Sequence, residues 1–142
     1  MILTDVNVLV YAHREDAPVH LAYREWLENL INSDQAYGFS DLVLSGFLRV
    51  VTHPRVFNPP SDLTSAFAFV QILRSQPNAI PVSPGLRHWD IFKSLCEAAS
   101  VKGNLFPDAY LAALAIESGS EWITTDRDYS RFPGLKWRHP LI

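Results

Sequence analysis

The segment Ala109-Tyr110-Leu111-Ala112-Ala113-Leu114-Ala115-Ile116 is apolar on nearly every side. A helix without a polar stripe offers no face to water and belongs at the centre of a domain. Pro107 suits its first turn and Gly119 is a natural stop. Around this helix, short apolar runs alternate with amphipathic stretches. Residues 1–5, 36–39, 79–82, 122–125 and 135–138 read as strands. A turn of helix is expected over 7–13. Tyr23, Trp26, Leu27, Leu30 and Ile31 then fall at spacings of three and four, the mark of an amphipathic helix. Ser40 stands where a cap would precede the stripe Val43, Phe47, Val50 and Val51. Asp62 or Ser61 can cap Leu63, Ala66, Phe67, Val70 and Leu73, and a further helix carries Phe92, Leu95, Cys96 and Ala99. Strands alternating with helices predict an α/β domain built on a parallel sheet.

The length of 142 residues fits a single domain over 1–142, one that would bury roughly 70% of its unfolded surface. At 48% hydrophobic and 19% charged residues, the chain has the apolar content for a core. No run reaches the ~20 apolar residues of a membrane span. Asp5 interrupts the first apolar run and no basic segment precedes it, so no signal peptide is read and a cytoplasmic location is expected. The one cysteine, Cys96, excludes an internal disulfide and a thiolate metal cluster, and its helical spacing suggests a core position. A net charge of −3 does not announce nucleic-acid binding. Two basic groups are nevertheless present: Arg49, His53 and Arg55, and Arg127 with Arg131, Lys136, Arg138 and His139.

The carboxylates are more informative. Asp5 and Asp126 each end a predicted strand, and open parallel sheets place their sites at the carboxyl ends of strands. Asp108 lies in the first turn of the most apolar helix, where the dipole favours a carboxylate. Asp128, close behind Asp126, is a fourth candidate. Acids gathered in one pocket repel each other and raise their own pKa values unless a cation is present. A hard divalent ion such as Mg²⁺ removes that conflict through oxygen ligands and waters. It can also stabilise charge on a scissile phosphate and help generate hydroxide. Acids with a metal and no activated side-chain nucleophile point to phosphodiester hydrolysis. Taken singly, an Asp at a strand end or helix start is more often a cap or turn former.

The stretches 3–12, 107–115 and 124–135 resemble, in order, the opening strand and helix, the central helix and the closing acidic motif of PIN-domain toxins. The middle stretch, 46–57, resembles a mycobacterial-type branch of VapC proteins. The resemblance runs nearly end to end. It implies a PIN-like three-layer α/β/α sandwich with a short, mostly parallel sheet. It also implies Mg²⁺ (with Mn²⁺ as a substitute), endonucleolytic RNA cleavage leaving 3′-hydroxyl and 5′-phosphate ends, a VapB-like antitoxin partner and a homodimer. Carried over residue by residue, Asp5, Asp108 and Asp126 match the metal-site acids and Asp128 a less regular fourth acid. Asn7 and Thr125 match polar positions beside the metal. One departure matters: the usual helix glutamate falls at Gly46. That absence suggests one tightly held ion, with a second recruited by RNA.

Other residues have plain readings. The five histidines show no metal-ligand spacing, and surface or helix-end places are expected for them. Trp26 and Trp122 fit core patterns, which leaves Trp89 and Trp137 as candidates to stack on bases. Arg49, His53, Arg55 and Arg127 are candidate RNA contacts. The rival functions are a structure-specific DNA nuclease and a catalytically weakened interaction module of the same fold.

Overall fold

The computed structural model describes all 142 residues. In chain order the elements are β1 (Ile2–Thr4), α1 (Val6–His13), α2 (His20–Ile31), β2 (Tyr37–Phe39), α3 (Asp41–Val51) and α4 (Leu63–Ser75). They continue with β3 (Ala79–Pro81), α5 (His88–Ala98), α6 (Phe106–Glu117), β4 (Glu121–Ile123) and β5 (Trp137–Arg138). Short 3₁₀ turns occupy Gly103–Leu105 and Arg127–Arg131. The sheet order is β3-β2-β1-β4-β5. All four pairings are parallel, so the sheet is parallel throughout rather than mostly so.

That order dictates the layers. The chain steps outward from β1 to β2 to β3, then returns across the sheet to β4. Right-handed crossovers therefore put α1 to α4 on one face and α5 with α6 on the other. The contacts agree: α1 packs on α2 and α3, α3 on α4, and α5 on α6. The result is the α/β/α sandwich the resemblance implied. In α6, Ala109, Ala112, Ala113 and Ala115 have no exposed surface, which is why this helix needs no polar stripe. Leu3 and Trp122 from the sheet and Phe47 from α3 on its other face fill the interior, all essentially buried. Each large apolar side chain so buried contributes roughly 1.5–3 kcal/mol.

At Gly38, in β2, an added Cβ would meet Leu3 and Val82 side chains at 2.8 Å, so only glycine fits there. Gly119 ends α6 in the left-handed region, with the Ser120 N–H donating to the Ala115 carbonyl. The expected cap at Ser40 is in place by position, yet its hydroxyl makes no capping bond. Asp62, in contrast, accepts from the Ser65 N–H at 2.7 Å. Two histidines stand at helix ends, one of the two places expected for them, but are not on the surface. His20 and His88 are buried, and their ring N–H groups donate to the Tyr11 and Tyr110 carbonyls at 2.8 and 3.0 Å. Each neutralises a buried backbone acceptor that sequence spacing does not reveal. No helix is long and apolar enough to cross a membrane.

The topology fixes where chemistry can sit. The chain moves from β1 to one side, toward β2 and β3, and resumes on the other side at β4, so the switch point lies between β1 and β4, at their carboxyl ends. Helix α6 leads back into the start of β4, which brings its N-terminus to the same edge.

Candidate active site

Asp5 follows β1 directly and is the N-cap of α1. Its Oδ1 accepts from the Val6 N–H at 2.7 Å and its Oδ2 from the Thr124 hydroxyl at 2.7 Å. Only 6% of the residue is exposed. Burial pushes its carboxyl up from 3.8 to about 6, against the pull of those two hydrogen bonds, and the Asp108 and Asp126 charges push the same way. Asp126 follows β4 and caps the 3₁₀ turn, its Oδ1 accepting from the Asp128 N–H at 2.9 Å. The Asp126 N–H in turn donates to the Thr124 hydroxyl oxygen at 3.0 Å. Thr124, with no exposed surface, thus ties the two strand-end acids together.

Asp108 enters from α6. Its Oδ1 accepts from the Tyr129 hydroxyl at 3.3 Å. Burial raises its carboxyl above the usual range; the Tyr129 bond and Arg131 oppose this, and Asp126 and Asp128 add to it. Tyr129 is itself nearly buried, wedged between Trp122 and Phe132 at ring-centroid distances of 5.5 and 5.9 Å. Its phenol is driven far above the normal range by burial first, then by the surrounding acids. It stays a neutral donor to Asp108.

Asp5, Asn7, Asp108, Asp126 and Tyr129 line one cavity of about 600 Å³, and Gly46 and Arg49 form part of its wall. The aspartates do not close into a group of three or more metal-ligating side chains around one point. Mutual repulsion opposes closer approach, and one oxygen each of Asp108 and Asp126 is engaged by Tyr129 and Asp128. The donors nonetheless fit a hard cation. All are oxygens, and the Oδ2 atoms of Asp108 and Asp126 accept nothing from the protein. Asn7 Oδ1 is buried with no hydrogen-bond partner, an acceptor beside the acids that lacks a positive counterpart. Mg²⁺ commonly takes one or two carboxylates and completes its shell with waters and phosphate oxygens, so a full protein cage is not required.

The other sequence candidates separate. Asp128 does not line the cavity; its side chain is 72% exposed and pairs with Arg131 at 3.5 Å. Thr125 makes no side-chain hydrogen bond, and the hydroxyl that orients an acid belongs to Thr124. Successive strand residues face opposite sides, so a one-position slip in the Thr124-Thr125 pair sends the hydroxyl away from Asp5. Arg49 reaches the cavity wall, whereas His53, Arg55 and Arg127 do not. His53 instead shapes its own turn, accepting from the Arg55 N–H at 3.0 Å. Gly46 holds the place of the absent glutamate: a Cβ there would approach Val6 Cγ2 to 3.0 Å, so α3 packs closely on α1 and a larger residue would require the Val6 side chain to shift. The sequence reading missed Thr124 and Tyr129. The signal for Tyr129 was an aromatic with a polar tip three residues beyond a strand-end acid.

Fold and site together define an α/β domain with an all-oxygen acidic cavity at the switch point of a parallel sheet. The chain belongs to the PIN-domain family, which matches residues 2–135, and within it to the VapC ribonucleases. It is 47% identical over 141 residues to ribonuclease VapC43 of Mycobacterium tuberculosis, covering 99% of this chain and 96% of that protein. It is 42% identical over the whole of both chains to ribonuclease VapC25 of the same organism. Among solved structures, VapBC-1 from nontypeable Haemophilus influenzae superposes with a TM-score of 0.70 at 14% identity over the full length of both chains. M. tuberculosis VapC20, a toxin that cleaves the sarcin-ricin loop, gives 0.63 at 15% identity, covering 96% of this chain and 99% of that one. At those identities the structures support the fold.

Proposed function

We propose that this chain, a single domain over 1–142, is the toxin of a VapBC-like type II toxin–antitoxin pair and acts as a metal-dependent endoribonuclease. The observation that carries the reading is the meeting of Asp5, Asp108 and Asp126, from three separate elements, in one cavity at the sheet switch point. Asp5, Asp108 and Asp126 would hold Mg²⁺, with Mn²⁺ as a substitute, and Asn7 Oδ1 would serve as a neighbouring acceptor. When bound, the cation supplies neutralisation of the scissile phosphate and a water made acidic enough to attack near neutral pH.

The protein's own part is positioning. Thr124 fixes the Asp5 carboxylate and, through the Asp126 N–H, the start of the turn that carries Asp126. Tyr129 holds one Asp108 oxygen and leaves the other free. Arg49 at the cavity wall offers a cation to a flanking phosphate. Asp128, paired with Arg131, takes no direct part. A VapB-like antitoxin partner belongs to the proposal, supported by the VapBC structures among the neighbours; a homodimer and a cytoplasmic location are carried over from the sequence expectations.

Purified protein incubated with RNA and Mn²⁺ tests this. Cutting that requires the metal and disappears in both Asp5→Asn and Asp108→Asn supports it. Wild-type protein that binds RNA without cutting it would favour a weakened interaction module, a reading that the missing carboxylate at Gly46 motivates. Preferential cutting of branched or flapped DNA would favour a DNA nuclease.

A further inference from the structure

Beside the acidic cavity lies a second one of about 610 Å³ that the reading above leaves unused. Phe39, Phe92, Phe106 and Tyr110 supply its aromatic walls, and Phe106 is 44% exposed. The rings form a connected set: Phe92 lies 5.6 Å from Tyr110, 6.3 Å from Phe106 and 5.4 Å from Trp89, which is exposed at the outer end. The two cavities share Leu42 and Pro107 as lining, and Asp108 follows Pro107 directly. The groove therefore adjoins the acidic cavity across Leu42 and Pro107.

The groove is not merely apolar. The first turn of α3, at Asp41 and Leu42, borders it and has no side-chain cap, whereas α6 offers no free donor at the groove, because Phe106 gives its N–H to the Gly103 carbonyl and Pro107 has none. Uncapped helix N-termini favour anions such as phosphate. Ser40 lines the groove too; it is 5% exposed, yet its hydroxyl has no hydrogen bond to the protein. The negative charge of Asp41 is met by an ion pair with Arg74, whose guanidinium also lies 5.1 Å from the Phe39 ring centroid. Planar faces, one uncapped helix end and an unused hydroxyl match one chemical unit, a nucleotide. An apolar peptide would use only the faces.

We propose that this groove is a base-binding subsite. It takes an unpaired nucleotide adjacent to the scissile phosphate, the base stacked on the Phe92–Phe106–Tyr110 walls and the ribose-phosphate directed to Ser40 and the α3 N-terminus. The proposal rests on the ribonuclease reading. Base–aromatic stacking is worth about 1–3 kcal/mol per base, so losing one wall should weaken binding of unpaired RNA about ten- to a hundredfold.

The test uses the full chain, a short unstructured RNA carrying iodouridine, and the variants Phe92→Ala, Phe106→Ala and Phe106→Trp. Expected are weakened RNA binding in both alanine variants, retention in Phe106→Trp, unchanged Mn²⁺ binding in all three, and photocrosslinks to groove residues in wild type. Unchanged RNA affinity in both alanine variants, or crosslinks confined elsewhere, overturns the subsite. So does a loss of antitoxin binding with RNA binding intact, which would make the groove a protein dock. In these cases metal-dependent cutting by wild type still stands. Wild-type protein that neither binds nor cuts RNA overturns the ribonuclease reading together with the subsite.

Discussion

Asp5 and Asp62 do the same local job in nearly the same backbone. Each caps a helix, with φ and ψ of −71° and 159° at Asp5 and −73° and 160° at Asp62, and each accepts a helix N–H at 2.7 Å. Their titrations move in opposite directions. Asp62 is exposed, and the Ser65 N–H and hydroxyl hold its carboxyl below the ordinary range. Asp5 is buried beside two other acids and is held up at about 6. Capping geometry therefore says nothing about function. The distinction comes from what the tertiary fold brings to the other side of the carboxylate.

The sharpest way to break this comparison is to neutralise each acid in turn. Asp5→Asn should reduce metal-dependent RNA cleavage at least about a thousandfold, since the cation's contribution is several kcal/mol. Asp62→Asn should leave cleavage unchanged. Comparable losses in both, measured on the same RNA, would erase the distinction.

Next in size is the opposite sign of the two pH dependences. The raised carboxyl of Asp5 favours the metal-free fold while it is protonated. That contribution is present below the ordinary value of 3.8 and is lost as pH rises through about 6. A displacement from 3.8 to about 6 corresponds to roughly 3 kcal/mol. Denaturant titrations in chelator should thus show stability falling over that window, and Asp5→Asn should flatten the fall. The inactive variant would then be the more stable one at neutral pH. A metal-free wild type whose stability is level across this range would contradict the burial of an uncompensated charge.

Thr124→Val comes third. It keeps the shape but removes the donor to Asp5 Oδ2, at a cost of about 1–3 kcal/mol for a buried unsatisfied acceptor. The loss should be greater at pH 8 than at pH 5, where Asp5 is protonated. Thr125→Val, compared in the same unfolding series, should be near neutral. The smallest effect belongs to Asp62→Ala. Its lowered carboxyl contributes above the ordinary range and loses that contribution as pH falls, so the variant should melt slightly earlier at neutral pH and converge with wild type in acid.

Much of this architecture could be read along the chain. The all-apolar face of Ala109 to Ile116 gave away a buried helix because no arrangement of that helix leaves a side for water. Asp5 and Asp126 could be paired because both follow strands, and parallel strands end on one edge. What escaped depends on a dimension the chain does not display. The outward excursion to β3 and the return to β4 are set by which strands pair with which, and local patterns do not encode that. Thr124 and Thr125 differ only in which way a strand residue faces, and Asp128 only in which way a short turn winds. The helix-end places of His20 and His88 were within the expectation, but their burial was not legible because their partners are backbone carbonyls of other helices. The aromatic groove assembles from five elements and has no linear signature at all.

The account stands or falls on whether Asp5, Asp108 and Asp126 share a cation. Calorimetric titration of the RNA-free protein with Mn²⁺ at pH 7.5 addresses this directly. One site per chain is predicted, with affinity reduced at least about tenfold in each of Asp5→Asn, Asp108→Asn and Asp126→Asn and unaltered in Asp128→Asn. Absence of binding, or binding that all three substitutions leave intact, would contradict it.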